Sequence, residues 1–140
     1  MLGVWYSDGY LVRERRSDGD IRSTKRVGLD VKDIEWLTDI KNTLGSEAPL
    51  QKTSKPLLKR LKITSPKMFE DLKNKGCVEN KTFLLKFPTS EQVPFDFLNS
   101  FILGILDGDG SITITTPRKE RRSPEVQMTF TGTYDVITGI

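Results

Sequence analysis

Histidine is absent from this 140-residue chain, and cysteine occurs once, at Cys77. The first absence removes every Cys/His zinc site and every hydrolase, nuclease or transferase that uses imidazole as its base. The second removes an intrachain disulfide. No apolar run approaches the roughly 18 residues that a membrane helix needs. The N-terminus reaches Asp8 without the basic lead of a secretory signal. The chain is therefore expected to be intracellular, in cytoplasm or nucleoid, or in an organelle matrix if organelle-encoded, with no membrane among its partners. Catalysis is left to carboxylates, lysines, hydroxyls or a metal held by oxygen. With 36% hydrophobic and 29% charged residues, the composition suits an ordinary globular protein.

What the chain does have is a repeated segment. Residues 2–9 read Leu-Gly-Val-Trp-Tyr-Ser-Asp-Gly, and residues 103–110 read Leu-Gly-Ile-Leu-Asp-Gly-Asp-Gly. Asp8 and Asp109 take equivalent places, 101 residues apart. Gly3 and Gly104 lack side chains, so two such helices can pack backbone to backbone. Two amphipathic core helices would explain that much, but not why each ends in Asp-Gly. A helix C-terminus carries partial negative charge, so an aspartate there is unfavourable unless a cation compensates. Two such ends side by side suit a divalent metal with oxygen ligands. Asp8, Gly9, Asp109 and Gly110 are the candidate metal-site positions.

Net charge is only +3, yet it is unevenly spread. Arg13, Arg15, Arg16, Arg22, Lys25 and Arg26 follow the first motif; Arg118, Lys119, Arg121 and Arg122 follow the second. Two basic clusters at matching repeat positions point to nucleic acid.

The periodicity predicts a helix end over 2–7, with Gly9 closing it in the left-handed conformation. A hairpin follows (10–16 and 21–29), then a helix over 31–44 with Asp30 as N-cap and Gly45 as its stop. A loop over 46–56 with a short strand before Lys55 leads to a strand over 57–64 and a helix over 67–75 opened by Ser65 and Pro66. Residues 82–87 read as a short extended segment. The pattern then restarts: a helix from Pro94 to Asp109, a hairpin (111–116 and 125–130), and a helix from Tyr134. At an offset of 101, Ile140 corresponds to Asp39, so the second copy is expected to be incomplete, lacking counterparts of 40–93. The first copy is expected to have a clipped leading helix. The domains expected are 1–93, the first repeat, and 94–140, a partial second repeat.

Residues 102–110 resemble the signature of the LAGLIDADG homing endonucleases, and residues 1–9 resemble a weaker first copy. The segments 27–33, 62–65 and 80–88 are similar to others of that family in the same order, so the resemblance runs along the whole chain. It implies an α+β fold of αββαββα halves, the motif helices packed together and antiparallel sheets saddling DNA. It implies a site-specific endonuclease that uses Mg²⁺ or Mn²⁺ to hydrolyse phosphodiester bonds in double-stranded DNA, Asp8 and Asp109 each serving one strand. Asp107 is read as structural. The family often places a lysine just after the second strand of a half. Lys32 stands there, able to polarise water or stabilise phosphate charge, or simply a solvated first-turn lysine. Thr133 or Tyr134 takes the place in the second copy.

DNA contacts are expected from Arg13, Arg15, Arg22, Thr24 and Arg26 in the first hairpin. In the second they are expected from Thr113, Thr115, Arg118, Lys119, Gln127 and Thr129. Trp5, Trp36 and Phe69 read as core. Two further readings stay open: an impaired DNA- or RNA-binding protein on the same scaffold, such as a maturase or regulator, or an endonuclease segment of an intein. An incomplete second half also leaves a homodimer open.

Overall fold

Two glycine-bearing helices pack against each other, and an antiparallel sheet follows each. The computed structural model describes residues 1–14, 24–115 and 123–140. In chain order the elements are α1 (Leu2–Ser7), β1 (Gly9–Glu14), β2 (Thr24–Val31), α2 (Ile34–Thr43), β3 (Leu50–Lys52), β4 (Lys59–Thr64), α3 (Pro66–Asn74), α4 (Leu98–Asp109), β5 (Gly110–Thr115), β6 (Glu125–Phe130) and α5 (Tyr134–Gly139). Short 3-10 turns cover Lys81–Phe83 and Phe95–Phe97. The first sheet has the order β1-β2-β4-β3, the second is the β5-β6 hairpin, and every pairing is antiparallel.

Strand alternation builds the core. Leu11 lies opposite Val27, Val27 opposite Ile63, and Leu29 opposite Leu61, so one face of the first sheet is a continuous apolar surface. Leu37 and Ile40 of α2 and Phe69 and Leu72 of α3 join these residues in one buried cluster. Ser65 caps α3 by accepting a bond from the Met68 amide at 3.2 Å, and proline fills the first turn. Gly45 and Gly76 follow α2 and α3 with φ of +60° and +95°, the left-handed conformation that glycine adopts without strain.

The two motif helices meet at their glycines. A Cβ on Gly3 would sit 2.1 Å from the Phe101 carbonyl oxygen, and one on Gly104 would sit 3.1 Å from the Gly3 Cα. Ser7 Oγ lies within hydrogen-bond reach of the Gly3, Val4 and Gly104 carbonyls, and the Tyr6 and Phe101 rings stack edge to face with centroids 4.8 Å apart. Tyr6 donates to the Lys75 carbonyl, and burial pushes its hydroxyl pKa well above the ordinary value.

Three local expectations need correction. Asp30 is not the cap of α2: it lies within β2, and Asp33 accepts the Trp36 amide at 3.0 Å instead. Gly9 does not adopt the left-handed conformation. It begins β1, and its missing side chain is explained by Trp5, whose Cα would lie 2.7 Å from a Cβ there. Residues 82–84, the first half of that segment, are not extended; Asn80 turns the chain with φ of 57° into the 3-10 turn that starts at Lys81. Trp5 and Phe69 are buried as expected, whereas Trp36 is half-buried. Among the described residues no helix is long and apolar enough to cross a membrane.

Candidate functional site

Close packing at Gly3 and Gly104 brings the C-terminal ends of α1 and α4 together. Asp8 is the C-cap of α1, its amide bonded to the Val4 carbonyl; Asp109 is the last residue of α4. A Cβ on Gly108 would lie 2.1 Å from Ser7 Oγ and 2.8 Å from Asp8 Oδ2, so the two ends touch. The glycine after each acid lets a strand leave at once: Gly110 is extended (φ −107°, ψ 176°), with Leu106 against the place a side chain would occupy.

The charge at this junction is concentrated. Burial pushes the Asp8 carboxyl above its ordinary pKa, Asp109 pushes it further, and Lys81 opposes both. Asp109 is likewise raised by burial and lowered by Lys81. The Lys81 ammonium donates to the Tyr6 carbonyl at 2.8 Å and to the Ser7 carbonyl, both in the last turn of α1. Burial lowers its pKa, while Asp109 and Asp8 act the other way. Lys81 is thus the lysine coupled to both acids. Its segment resembles a family segment, yet nothing in apolar spacing or charge runs marks this residue in the sequence. The signal was the unmet demand of two acidic helix ends for a cation.

Lys32 stands elsewhere, in the β2–α2 link, exposed on the rim of a cavity of about 490 Å³ that Asp8, Asp30, Asp107 and Gly108 also line. In the second copy Gly132, not a lysine, stands directly before the helix cap. Strand pairing keeps the 101 offset, Gly9 with Leu29 and Gly110 with Phe130, but the caps Asp33 and Thr133 are 100 apart. From the paired residue to the cap the second copy is one residue shorter, with Thr131 and Gly132 between Phe130 and Thr133 where Asp30, Val31 and Lys32 stand between Leu29 and Asp33.

Away from the helices the first sheet presents Tyr10, Val12 and Glu14 of β1, Thr24, Arg26 and Asp30 of β2, and Arg60, Lys62 and Thr64 of β4, the alternate set to the buried residues. Arg60 and Asp30 form a two-pronged pair, Nε to Oδ1 at 2.7 Å and Nη2 to Oδ2 at 2.6 Å. Tyr10 lies across this face, where Gly28 leaves it space; burial and Asp30 raise its pKa to about 12. Glu14 bridges Arg26 and Lys62, and these bonds hold its carboxyl below the usual range. Arg26 and Thr24 thus share the open face. Arg13 does not: it sits on the helix side, its guanidinium 5.2 Å from the Phe69 ring centroid and its Nε 3.1 Å from Glu79. Arg60 and Lys62 were missed because β4 lies outside the basic hairpins.

In the second hairpin Ser111, Thr113 and Thr115 face the same way as Thr129, Gln127 and Glu125, so Thr113, Thr115 and Gln127 do share a face. Arg15, Arg22, Arg118 and Lys119 lie outside the described residues.

No family model matches the chain, and no curated protein matches it in sequence. Solved structures do. The meganuclease I-SmaMI bound to uncleavable DNA superposes with a TM-score of 0.55 at 12% identity, over 91% of this chain and 63% of that one. The homing endonuclease I-LtrWI bound to its target DNA gives 0.54 at 13% identity over the same shares. I-GzeII in complex with its DNA target gives 0.51 at 13% identity, again over the same shares. This chain has the LAGLIDADG homing-endonuclease fold. It spans about 63% of the length of these structures. Among its described residues no three Asp, Glu, Cys or His side chains form a metal cluster, so the LAGLIDADG scaffold here offers a pair of carboxylates.

Proposed function

We propose that the chain carries the paired acids and part of the DNA-reading surface of a site-specific, divalent-metal-dependent endonuclease acting on double-stranded DNA. The observation that carries this reading is the meeting of Asp8 and Asp109 at two helix ends locked together through Gly3 and Gly104. Two partly buried carboxylates on negatively charged helix ends, with no histidine available, form an all-oxygen donor set that fits Mg²⁺ or Mn²⁺. A bound divalent ion supplies a more acidic water, orientation of the scissile phosphate and neutralisation of charge on the leaving oxygen.

The chain's own residues do the rest. Asp8 and Asp109 would hold the cation, each from the half that addresses one strand, with Gly9 and Gly110 directly after them in the chain. Lys32, on the cavity rim beside Asp8, orients water or a phosphate oxygen on that side. Arg26, Arg60 and Lys62 contact phosphates and base edges from the first sheet, and Thr113, Thr115 and Gln127 do so from the second hairpin. The DNA-bound state of the structural neighbours supports DNA as the partner.

Selection from a randomised duplex library with Ca²⁺ present identifies the bound site, and Mg²⁺ or Mn²⁺ then tests cutting. Nicking or cutting that Asp109→Asn abolishes, with binding retained, is the expected result. Binding with no cleavage under either metal would leave a second reading, a nucleic-acid binder on the same scaffold. Gly132 before the α5 cap, where Lys32 stands before the α2 cap, is the observation that favours it.

A further inference from the structure

The open face of the first sheet divides its charges unequally. At the strand ends away from Asp8, Arg26 and Lys62 share the single carboxylate of Glu14, which leaves a positive charge over. That suits phosphate, which is bound through charge and carries no sequence. Nearer Asp8 the arrangement changes. Arg60 faces Asp30 across the β2–β4 pair, donating from Nε to Oδ1 and from Nη2 to Oδ2. The two charges match, so this pair has little to offer a phosphate. It does have directional donors. A guanidinium carries five N–H groups in a rigid planar fork, and Asp30 takes two of them along one side. The end of the fork keeps a donor on each of Nη1 and Nη2, parallel and free. Two neighbouring residues hold this arrangement. A Cβ on Gly28 would lie 2.2 Å from Tyr10 Cζ, so the missing side chain lets the ring lie across the strands. From there the Tyr10 hydroxyl donates to Asp30 Oδ1 at 3.3 Å, and the ring centroid is 5.9 Å from the guanidinium carbon. The Arg60 and Asp30 side chains are 36% and 22% exposed, so the fork is fixed and still open to a partner. An ion pair this exposed contributes little to stability, and one kept for the sheet alone would need neither the glycine nor the ring.

We propose that Arg60 is a specificity-determining residue that reads one guanine through the major groove, with Asp30 as the positioning residue that fixes its fork. This rests on the reading of the first sheet as a DNA-binding face. Two parallel donors match the O6 and N7 acceptors of guanine; adenine sets an amino donor against one of them. Asp30 also lines the cavity that Asp8 lines, so the guanine belongs to the base pair that meets the first sheet nearest the paired acids. Asp30 acts in two ways. It removes the rotational freedom of Arg60, and it neutralises the charge that would otherwise draw the arginine to any phosphate. Arg60 therefore serves discrimination, whereas Arg26 and Lys62 serve affinity.

The test is competition binding by the full chain, with the duplex selected in Ca²⁺ and its single base-pair variants as competitors. The wild type is expected to lose about tenfold to a hundredfold in affinity when one G·C pair on the first-sheet side is replaced. In Arg60→Gln that penalty disappears at this pair and persists at the others, while the slope of log affinity against log salt stays as it was. Asp30→Asn keeps the guanidinium and tests the claim independently. It should tighten binding to unrelated duplex, steepen the salt slope by about 1 and flatten the preference for guanine. Two results overturn the proposal. One is an Arg60→Gln variant that binds every duplex more weakly by the same factor with a slope reduced by about 1, the mark of a phosphate contact. The other is a guanine preference that survives either substitution. DNA binding that ignores Arg60 and Asp30 in this way leaves the DNA-binding reading standing. If selection recovers no bound duplex from the wild type, that reading fails and the proposal fails with it.

Discussion

The inward faces of the two hairpins are the same surface under different conditions. Leu11 and Val27, paired across β1 and β2, are 5% and 0% exposed. Their counterparts at an offset of 101, Ile112 and Met128, are paired in the same way across β5 and β6 and are 57% and 58% exposed. The strands alternate alike; what differs is the layer beyond them. In the first half α2 and α3 lie on the sheet and β4 continues it. Among the described residues of the second half, β6 pairs with β5 alone. The difference extends to side-chain type. Where Arg13 and Lys25 lie over the Phe69 ring, the second hairpin has Ile114 and Val126. Alternation therefore tells which face seeks cover, not whether cover is present.

The largest expected effect tests that difference directly. Phe69→Ala removes a fully buried ring between α3 and the first sheet and should cost about 3–5 kcal/mol of unfolding free energy. Ile114→Ala, in the open hairpin, should change it by no more than about 0.5 kcal/mol. Urea denaturation of both variants measures the contrast, and comparable losses would show that the second face is covered in solution.

The seam between the halves comes next. Gly104→Ala inserts a methyl 3.1 Å from the Gly3 backbone and should destabilise by about 1–3 kcal/mol. Gly3→Ala should cost more, since its methyl would meet the Phe101 carbonyl oxygen at 2.1 Å, a contact that only backbone movement relieves. The same denaturation series orders them, and the reverse order would mean that α1, not α4, is the helix that yields.

The two halves also differ in the faces proposed to meet DNA. The first sheet's open face carries Arg26, Arg60 and Lys62 against Glu14 and Asp30, whereas the described face of the second hairpin is built mainly from hydroxyls and an amide. Lys62→Met should lower the slope of log affinity against log salt by about 1, and Thr113→Val should leave it unchanged. Glu14→Gln should act in the opposite direction to Lys62→Met and tighten binding, because it releases Arg26 and Lys62 from their shared acid. Filter binding over a salt series reads all three. An equal loss of slope from both halves would remove the asymmetry.

How much of this was legible beforehand depended on the range of each interaction. Helices, hairpins and the junction of Asp8 with Asp109 were readable because periodicity, Asp-Gly endings and the internal repeat are local or self-similar signals. Ser65 and Pro66 marked the start of α3 for the same reason. Asp30 was misread because an acid before a helical run looks like a cap, and its true partner, Arg60, lies thirty residues away across a strand pair. Arg13 was misassigned because alternation separates it from Arg26 only once the pairing is known. Lys81 left no local trace at all: its bonds to the α1 carbonyls of Tyr6 and Ser7 exist only in the folded chain.

The smallest effect concerns the two acids themselves, one from each half. Both have folded pKa values raised above the ordinary carboxylate value of 3.8, with burial the first cause. A raised pKa means that the folded state holds the proton more tightly than the unfolded chain does. The associated stability is therefore present at low pH and is lost as pH rises from 3.8 through the raised value. Glu14 and Glu70, held low by their cation partners, contribute with the opposite sign, so the wild-type profile is a mixture. Subtracting the wild type from an Asn variant isolates each acid. Asp8→Asn should gain stability relative to the wild type as pH climbs out of the acid range and then level off. The gain should stay below about 1 kcal/mol, because solvent still screens a carboxylate that is only partly buried. Asp109→Asn should follow the same course, since the repulsion between the two acids is mutual and either variant removes it. Melting curves from pH 3 to pH 8 in EDTA would show it, and a gain that shrank with rising pH would mean that Lys81, not burial, dominates the charge at the helix ends.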